Sequence, residues 1–360
     1  MASGPVTKTP WWSWAWPALA AVLLALQFIL HAGGYFAVLE AAALIGAVFA
    51  AVYHAEVVAH RVGEPFGSLV LALAVTIIEV ALIVSVMITG GSETSALARD
   101  TVFAAVMIVC NGIVGLGLLA GGVRHREQGF QLQGANAALS VLIALTCLTL
   151  VFPNVTTTTS GPSFSESQLI FAAVVSLILY GSFLFVQTVR HRDYFLPLDG
   201  DDEHAAPPTN KTALASSCWL LVSLVAVVGL AKALTPILER GIDRAGAPKS
   251  VVGIVIAGLV LLPEGLASFR AASANRLQTS MNLALGSALA SIGLTIPAVA
   301  AVSILLHKPL TLGLMPKEIV LLVVTLILSI LTLGTGRTTV LQGIVHLVIF
   351  AAFLFLAIVP

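Results

Sequence analysis

The sequence predicts an all-α polytopic membrane protein with about eleven transmembrane helices. Of its 360 residues, 58% are hydrophobic and only 9% are charged, whereas about a quarter of the residues in a water-soluble domain are charged. Apolar stretches of roughly 20 residues, enough to cross about 30 Å of hydrocarbon, recur along the whole chain. They are too long and too uniformly apolar for barrel strands, and helices satisfy their own backbone in lipid.

Proline, glycine and charged residues separate these stretches from one another. The predicted spans lie near residues 14–31, 34–55, 66–89, 100–121, 134–152, 167–190, 212–236, 249–271, 280–305, 317–334 and 339–359.

The longest charged connection runs from Arg190 to Lys211 and follows the sixth span. With the first helix set aside, five spans precede it and five follow it. An odd number of spans per half gives the halves opposite orientations, which is an inverted repeat. We therefore predict these segments: an N-terminal transmembrane helix at 1–33, a first five-helix repeat at 34–192, an acidic cytoplasmic linker at 193–211 and a second five-helix repeat at 212–360.

Lysine and arginine are unevenly divided between alternate connections. With a cytoplasmic N-terminus, that side receives ten of them, among them Arg124, Arg270 and Arg337, and the opposite side receives six. Because cytoplasmic loops are enriched in Lys and Arg, the bias predicts the N-terminus inside and the C-terminus outside.

Two glutamates lie within apolar spans. Glu79 is near the middle of the third span, in GSLVLALAVTIIEVALIVSVMITG, and Glu264 lies in the eighth, in VGIVIAGLVLLPEGLASF. Each is in the second helix of its five-helix half. Because a charge there costs several kcal/mol or more, acids inside a membrane are functional by default. We therefore predict that Glu79 and Glu264 form one shared site that binds a cation or protons.

The following helix in each half adds further oxygen atoms. We take Asn111, Asn282, Ser287 and Ser291 as candidate ligands, with interhelical packing as the alternative role. Pro263 precedes Glu264, and we expect it to bend that helix and free carbonyl oxygens beside the carboxylate. Calcium is bound by about 6 to 8 such oxygens.

Burial in an apolar site also favours the protonated carboxyl. Protons and cations then compete for the same oxygens. This competition is sufficient for antiport, provided the empty, doubly charged site does not reorient across the membrane.

At these residues the sequence resembles the calcium/proton exchangers of the calcium/cation antiporter superfamily, above all the bacterial calcium, sodium and potassium proton antiporters. The motifs are GEPFGSLVLALAVTIIEVALIVSVM, ARDTVFAAVMIVCNGIVGL and LLPEGLASFRAASANRLQTSMNLALGSALASIGLTIP. The resemblance implies a lone first helix, two inverted five-helix repeats, alternating access and one site glutamate from each repeat, here Glu79 and Glu264. Eukaryotic members usually carry Gly-Asn before each glutamate; this chain has Val75-Thr76 and Val260-Leu261 instead, which leaves calcium selectivity open.

The expected function is therefore proton-driven extrusion of Ca²⁺, with Na⁺ or K⁺ as alternative or additional substrates, in a bacterial inner membrane. An intramembrane acid/base enzyme is disfavoured because no nucleophile, metal motif or phosphate loop accompanies the acids. A passive cation channel is the third alternative. We expect no bound cofactor and no nucleic-acid partner, and homo-oligomerisation is left open.

One further motif contains ionisable residues. In HAEVVAH, His54 and His60 fall on different helical faces, which disfavours a hydrolytic metal site. We expect interfacial solvation there, with a role for Glu56 at the cytoplasmic entrance as the alternative.

Overall fold

The computed structural model describes residues 9–30, 35–63, 66–89, 95–197, 208–244, 246 and 248–359. Most of the predicted acidic linker lies outside these residues. The helices are α1 Trp12–Leu30, α2 Tyr35–Val62, α3 Phe66–Thr89, α4 Leu97–Met107, α5 Val114–His125, α6 Leu132–Thr146, α7 Glu166–Phe185, α8 Asn210–Arg244, α9 Ser250–Ser273, α10 Leu277–Ala290, α11 Ile296–Leu306, α12 Pro316–Leu333 and α13 Val340–Ile358. The two short strands are β1 Glu127–Gly129 and β2 Arg337–Thr339.

Several helices continue into tighter or wider turns, so that one membrane span contains more than one segment. The π-helical turns are Ile108–Ile113, Cys147–Val151, Val186–Arg190 and Ser291–Thr295, and the 3₁₀ turns are Phe152–Asn154 and Arg192–Phe195.

The predicted all-helical membrane fold is confirmed. In the described part of the chain, ten helical spans are long and apolar enough to cross a membrane, and α1 adds a shorter apolar helix. The eleven predicted spans coincide with these helices, and differ chiefly at the ends. The predicted span at 212–236 is the clearest difference, since α8 continues to Arg244.

The chain divides into two compact units. The first contains Met1–Ile78 and Ala206–Ile237, and within it α1 and α2 form a hairpin. The rings of Trp12 and Tyr53 meet edge to face at 5.3 Å. The second unit contains Glu79–Ala205 and Leu238–Pro360. These units do not follow the boundaries of the predicted repeats, and the division into two inverted repeats stays a prediction.

Within the second unit, the connections between helices gather at two ends. At one end β1 pairs antiparallel with β2, and a ring nitrogen of His125 lies 3.2 Å from the carbonyl oxygen of Ser273. At the other end the Thr311 amide donates to the Ser95 carbonyl at 2.9 Å. The Gly313 amide likewise donates to Pro162. Connections that the sequence predicts on the same side of the membrane therefore lie at the same end of this unit.

Glycines allow α5 and α13 to approach closely. A Cβ atom added to Gly343 would lie 2.5 Å from the backbone nitrogen of Leu119 and 3.0 Å from the carbonyl oxygen of Gly115. A Cβ added to Gly122 would lie 2.7 Å from the backbone nitrogen of Val340. In lipid, helices associate through such close packing, because no hydrophobic gain drives them together.

We expect Gly343→Ala to destabilise the protein, because the new methyl group would meet rigid backbone and overpacking typically costs about 1–3 kcal/mol. The matched control is Gly181→Ala in α7, where an added Cβ meets nothing within 4 Å. That control should be neutral or stabilising, since alanine is the better helix former. Thermal unfolding in detergent checks both variants. Equal melting temperatures would contradict the proposed α5–α13 packing.

Candidate functional site

Two interrupted helices form the most buried part of the structure. In the span Leu97–His125, 83% of the most apolar 18-residue stretch is buried, and in Leu277–Leu306 the share is 61%. In every other described span, 50% or less of the corresponding stretch is buried. Each has a π-helical turn near its middle, at Ile108–Ile113 and at Ser291–Thr295. A π-helical turn interrupts the regular backbone hydrogen bonding of an α-helix and often lies at a functional site.

Glu79 is held by the second of these turns. Its side chain is buried, and the Ser291 hydroxyl lies 2.7 Å from Oε1 and 2.8 Å from Oε2 of the carboxylate. Thr295, one helical turn further on, is also fully buried. A hydroxyl that donates to a buried carboxylate makes a charge-assisted hydrogen bond, which is stronger than a neutral one. The turn Ser291–Thr295 therefore supplies the polar environment of Glu79.

Glu264 lies on α9 and is 8% exposed. The residue after it, Gly265, packs against Ile113, which belongs to the other π-helical turn. Each predicted site glutamate is thus on a helix that meets an interrupted helix at its π-helical turn.

The bend expected at Pro263 stays a prediction. The helix α9 continues from Ser250 to Ser273 with Pro263 inside it. Because proline has no N–H, the Leu259 carbonyl loses its helical donor. The marked irregularities lie instead in the following helix of each half, which sequence reasoning did not predict.

Asn111 forms a second buried polar cluster. Its Nδ2 donates to Thr325 Oγ1 at 2.8 Å, and its Oδ1 lies 3.1 Å from Nδ1 of His346. The other ring nitrogen of His346 lies 3.0 Å from Thr332 Oγ1. Asn111 is fully buried and His346 is 1% exposed. The cluster therefore ties the turn Ile108–Ile113 to α12 and α13.

The other predicted site residues lie in different places. Ser287 is partly buried, one turn before Ser291. Asn282 is nine residues before Ser291, about 13 Å along a helix, and it donates to the carbonyl oxygen of Phe195 at 2.6 Å. Glu56 is exposed near the end of α2. In this structure, Ser291 is the predicted polar ligand that contacts Glu79, and the assignment of the other residues stays a prediction.

Three buried groups were not assigned from the sequence. His346 had no predicted partner, because its contacts come from residues distant in the chain. Arg99, which lies just before the predicted span at 100–121, is 8% exposed, and its Nη2 lies 2.7 Å from Oδ1 of Asp100. Glu40 is fully buried, and neither carboxylate oxygen accepts a hydrogen bond within the described structure.

The donors available to a cation are mostly oxygens. Among the described residues, no three His, Cys, Asp or Glu side chains group together as a metal site. The group that contacts the Glu79 carboxylate is the Ser291 hydroxyl, and hydroxyl and carboxylate oxygens are ligands preferred by hard cations. The site therefore suits Ca²⁺, Na⁺ or K⁺ as a transported ion better than a resident transition metal.

The fold and this site define a multi-pass membrane protein with ionisable groups buried among interrupted helices. The chain belongs to the sodium/calcium exchanger protein family, whose family model matches residues 33–189 and 215–359.

Two relatives are similar over most of their length. An ionic transporter from Sinorhizobium fredii, y4hA, is 52% identical over 98% of this chain and 97% of its own. The sodium-potassium/proton antiporter ChaA of Escherichia coli is 39% identical over 86% of this chain and 85% of its own. A more distant relative, the Ca²⁺/H⁺ antiporter ChaA of Bacillus subtilis, is 21% identical over 68% of this chain and 70% of its own.

Solved structures show the same fold. YfkE superposes with a TM-score of 0.76 over 97% of this chain and all of its own, at 17% identity. The H⁺/Ca²⁺ exchanger CAX superposes with a TM-score of 0.71 over 94% of this chain and 86% of its own, at 14% identity. The predicted family resemblance is confirmed.

We expect His346→Ala and Asn111→Ala each to lower stability by about 1–3 kcal/mol, because each leaves a buried polar partner without its hydrogen bond. The double variant should cost less than the sum, since both changes remove the same contact. Denaturant unfolding of the four proteins in detergent measures this coupling. His60→Ala on the exposed part of α2 is the control and should change stability by less than about 0.5 kcal/mol. Additive effects would mean that the His346–Asn111 contact contributes nothing.

Proposed function

We propose that this protein is a proton-coupled cation antiporter that extrudes Ca²⁺, Na⁺ or K⁺ in exchange for H⁺. The observation that carries the proposal is the Glu79 carboxylate, buried within a membrane span and bound by the Ser291 hydroxyl. An intramembrane carboxylate of this kind is expensive to keep and marks ion and proton pathways. Membership of an exchanger family and the antiporter relatives support the same function.

Exchange follows from competition at the two glutamates. In the protonated form the carboxyls of Glu79 and Glu264 are neutral, and this state is able to reorient within the membrane. From the opposite side, Ca²⁺ displaces both protons, or a monovalent cation displaces one of them, and the site is again neutral. The doubly charged empty site is strongly disfavoured in lipid, so protons and cations cross only in alternation.

The proposed ligands follow the geometry around Glu79. Glu79 and Glu264 bind the cation and the protons, and Ser291 and Thr295 add hydroxyl oxygens. Carbonyls left without a helical donor, such as that of Leu259, complete the coordination. We assign Ser287, Asn111 and Asn282 as secondary ligands that change position during transport.

Calcium is our first candidate substrate and a monovalent cation is the second. The second is favoured by a specific observation: the relative named as a sodium-potassium/proton antiporter is 39% identical, whereas the Bacillus Ca²⁺/H⁺ antiporter is 21% identical. The absence of the Gly-Asn pairs before Glu79 and Glu264 also favours relaxed selectivity.

We further propose a bacterial inner-membrane location with the N-terminus in the cytoplasm. The excess of Lys and Arg on that side supports this orientation.

We expect Glu79→Gln and Glu264→Gln each to abolish exchange, because an amide neither releases a proton nor neutralises a cation. The assay follows proton movement in proteoliposomes with an imposed pH gradient. Glu166→Gln at the exposed start of α7 is the matched control and should transport normally. Gel filtration establishes that each variant is folded. Normal exchange by a folded Glu79→Gln variant would exclude Glu79 from the site.

The same assay identifies the ion. Calcium, sodium, potassium and magnesium are added in turn to the wild type. A response to calcium alone defines a calcium/proton exchanger, and equal responses to sodium or potassium define a broad cation/proton antiporter. Cation flux that proceeds without any proton movement would overturn antiport in favour of a channel.

Ser291→Ala should raise the KM for the cation about tenfold or more, because it removes a hydrogen bond to a charged group worth about 1.5–3 kcal/mol and a ligand oxygen. Ser303→Ala is the matched control, since Ser303 is equally buried in the same span and donates to the Lys308 carbonyl. Initial rates against cation concentration measure both variants. Equal changes in KM would show that the effect is structural.

A further inference from the structure

A groove of about 950 Å³ lies between the ends of α5 and α9. One part of its wall is apolar and includes Leu116, Val123 and Phe269. Its other end is basic and includes Arg124, His125 and Arg270. The groove is at the end of the second unit where β1 pairs with β2.

The apolar wall faces outward within membrane spans. Val123 is 70% exposed, Leu116 is 47% exposed and Phe269 is 39% exposed. From Leu116 to Arg124 the helix advances by about 12 Å, a distance that covers much of the length of an extended acyl chain. A groove of this kind is filled by lipid unless another protein covers it.

The basic end of the groove carries an excess of positive charge. Arg124 and Arg270 are both exposed, and within the described residues neither forms a salt bridge. The nearby Glu127 is paired with Arg337 instead. The C-termini of α5 and α9 each contribute about half a negative charge, so two arginines leave an excess of about one positive charge.

Hydrogen bonds fix the two helix ends side by side. Gln128 Nε2 donates to the carbonyl oxygen of Ala272 at 2.9 Å and to Oδ1 of Asn275 at 3.0 Å. The His125 ring contacts the Ser273 carbonyl. The spacing of the helix ends that carry the two arginines is therefore set before any ligand arrives, which reduces the entropy lost on binding.

We propose that this α5–α9 groove binds one anionic glycerophospholipid. Its phosphate lies between Arg124 and Arg270, and an acyl chain lies along Leu116, Val123 and Phe269. Basic pockets between transmembrane helices bind anionic headgroups in this way. The apolar wall distinguishes a lipid from free phosphate. The like charges of Arg124 and Arg270 oppose a symmetric contact with a second copy of the chain, in which they would face each other.

The test uses the full chain, stripped of lipid in a neutral detergent, and native mass spectrometry. We expect the wild type to retain one phosphatidylglycerol and to bind phosphatidylcholine much more weakly. Arg124→Gln with Arg270→Gln should weaken phosphatidylglycerol binding about 25-fold, since each arginine contributes about a factor of five near an anionic lipid. The matched control, Arg190→Gln with Arg192→Gln, makes the same charge change at exposed positions in the two turns that follow α7 and should bind normally. Equal losses in the two double variants would overturn the proposal.

Two further measurements distinguish the occupant. Val123→Trp fills the groove without a charge change and should also weaken phosphatidylglycerol binding. Normal binding by this variant would show that the acyl chain does not lie in the groove. Inorganic phosphate should not displace the lipid, and efficient displacement would reassign the groove as a free-anion site. A change in oligomer mass in the arginine variant, with lipid binding unchanged, would reassign it to a second copy.

Discussion

The buried Glu79 carboxylate is the constraint on which the rest of the structure depends. A charged group inside hydrocarbon needs donors or a counter-ion, and this chain provides a hydroxyl from Ser291, 212 residues away. The hydroxyl reaches the carboxylate because Ser291 begins a π-helical turn. A serine hydroxyl can both donate to a bare carboxylate and accept a cation through its lone pairs. The pocket therefore suits both the empty and the occupied site.

This arrangement has consequences for packing. An interrupted helix loses backbone hydrogen bonds, which lipid cannot replace, and the turns Ile108–Ile113 and Ser291–Thr295 lie in the two most buried spans. Surrounding them with protein needs close helix approach, and Gly115 and Gly343 allow α13 to pack against α5 beside Asn111. The side chains of His346, Thr325 and Thr332 then satisfy the amide of Asn111 and each other. The glycines thus allow the close packing, and the polar side chains supply the hydrogen bonds, that this interrupted helix requires.

The sequence predicted the helices and the two glutamates because both depend on local properties. A run of about 20 apolar residues is a span in any context, and an acid within one is conspicuous. The π-helical turns could not be predicted in the same way, since the segments around Asn111 and Ser291 have ordinary helical composition. The partners of His346 depend on contacts 14 and 235 residues apart, and no periodicity in the sequence indicates them. Arg99 illustrates the same point, since its Nη1 donates to the carbonyl oxygen of the distant Gly313 at 3.2 Å.

The two halves of the chain use their interrupted helices differently in this structure. One turn presents Ser291 to a glutamate from the opposite half, whereas the other presents Asn111 to a histidine and a threonine. One N–H of the Asn111 amide donates to Thr325, and one lone pair of its oxygen accepts from His346. The second lone pair of the oxygen is therefore the one that remains for a cation. If the halves exchange roles during alternating access, Asn111 and Ser291 cannot be equivalent ligands in the same conformation. The two interrupted helices, α4–α5 and α10–α11, pack against each other, so a movement of either π-helical turn changes the surface against which the other helix packs.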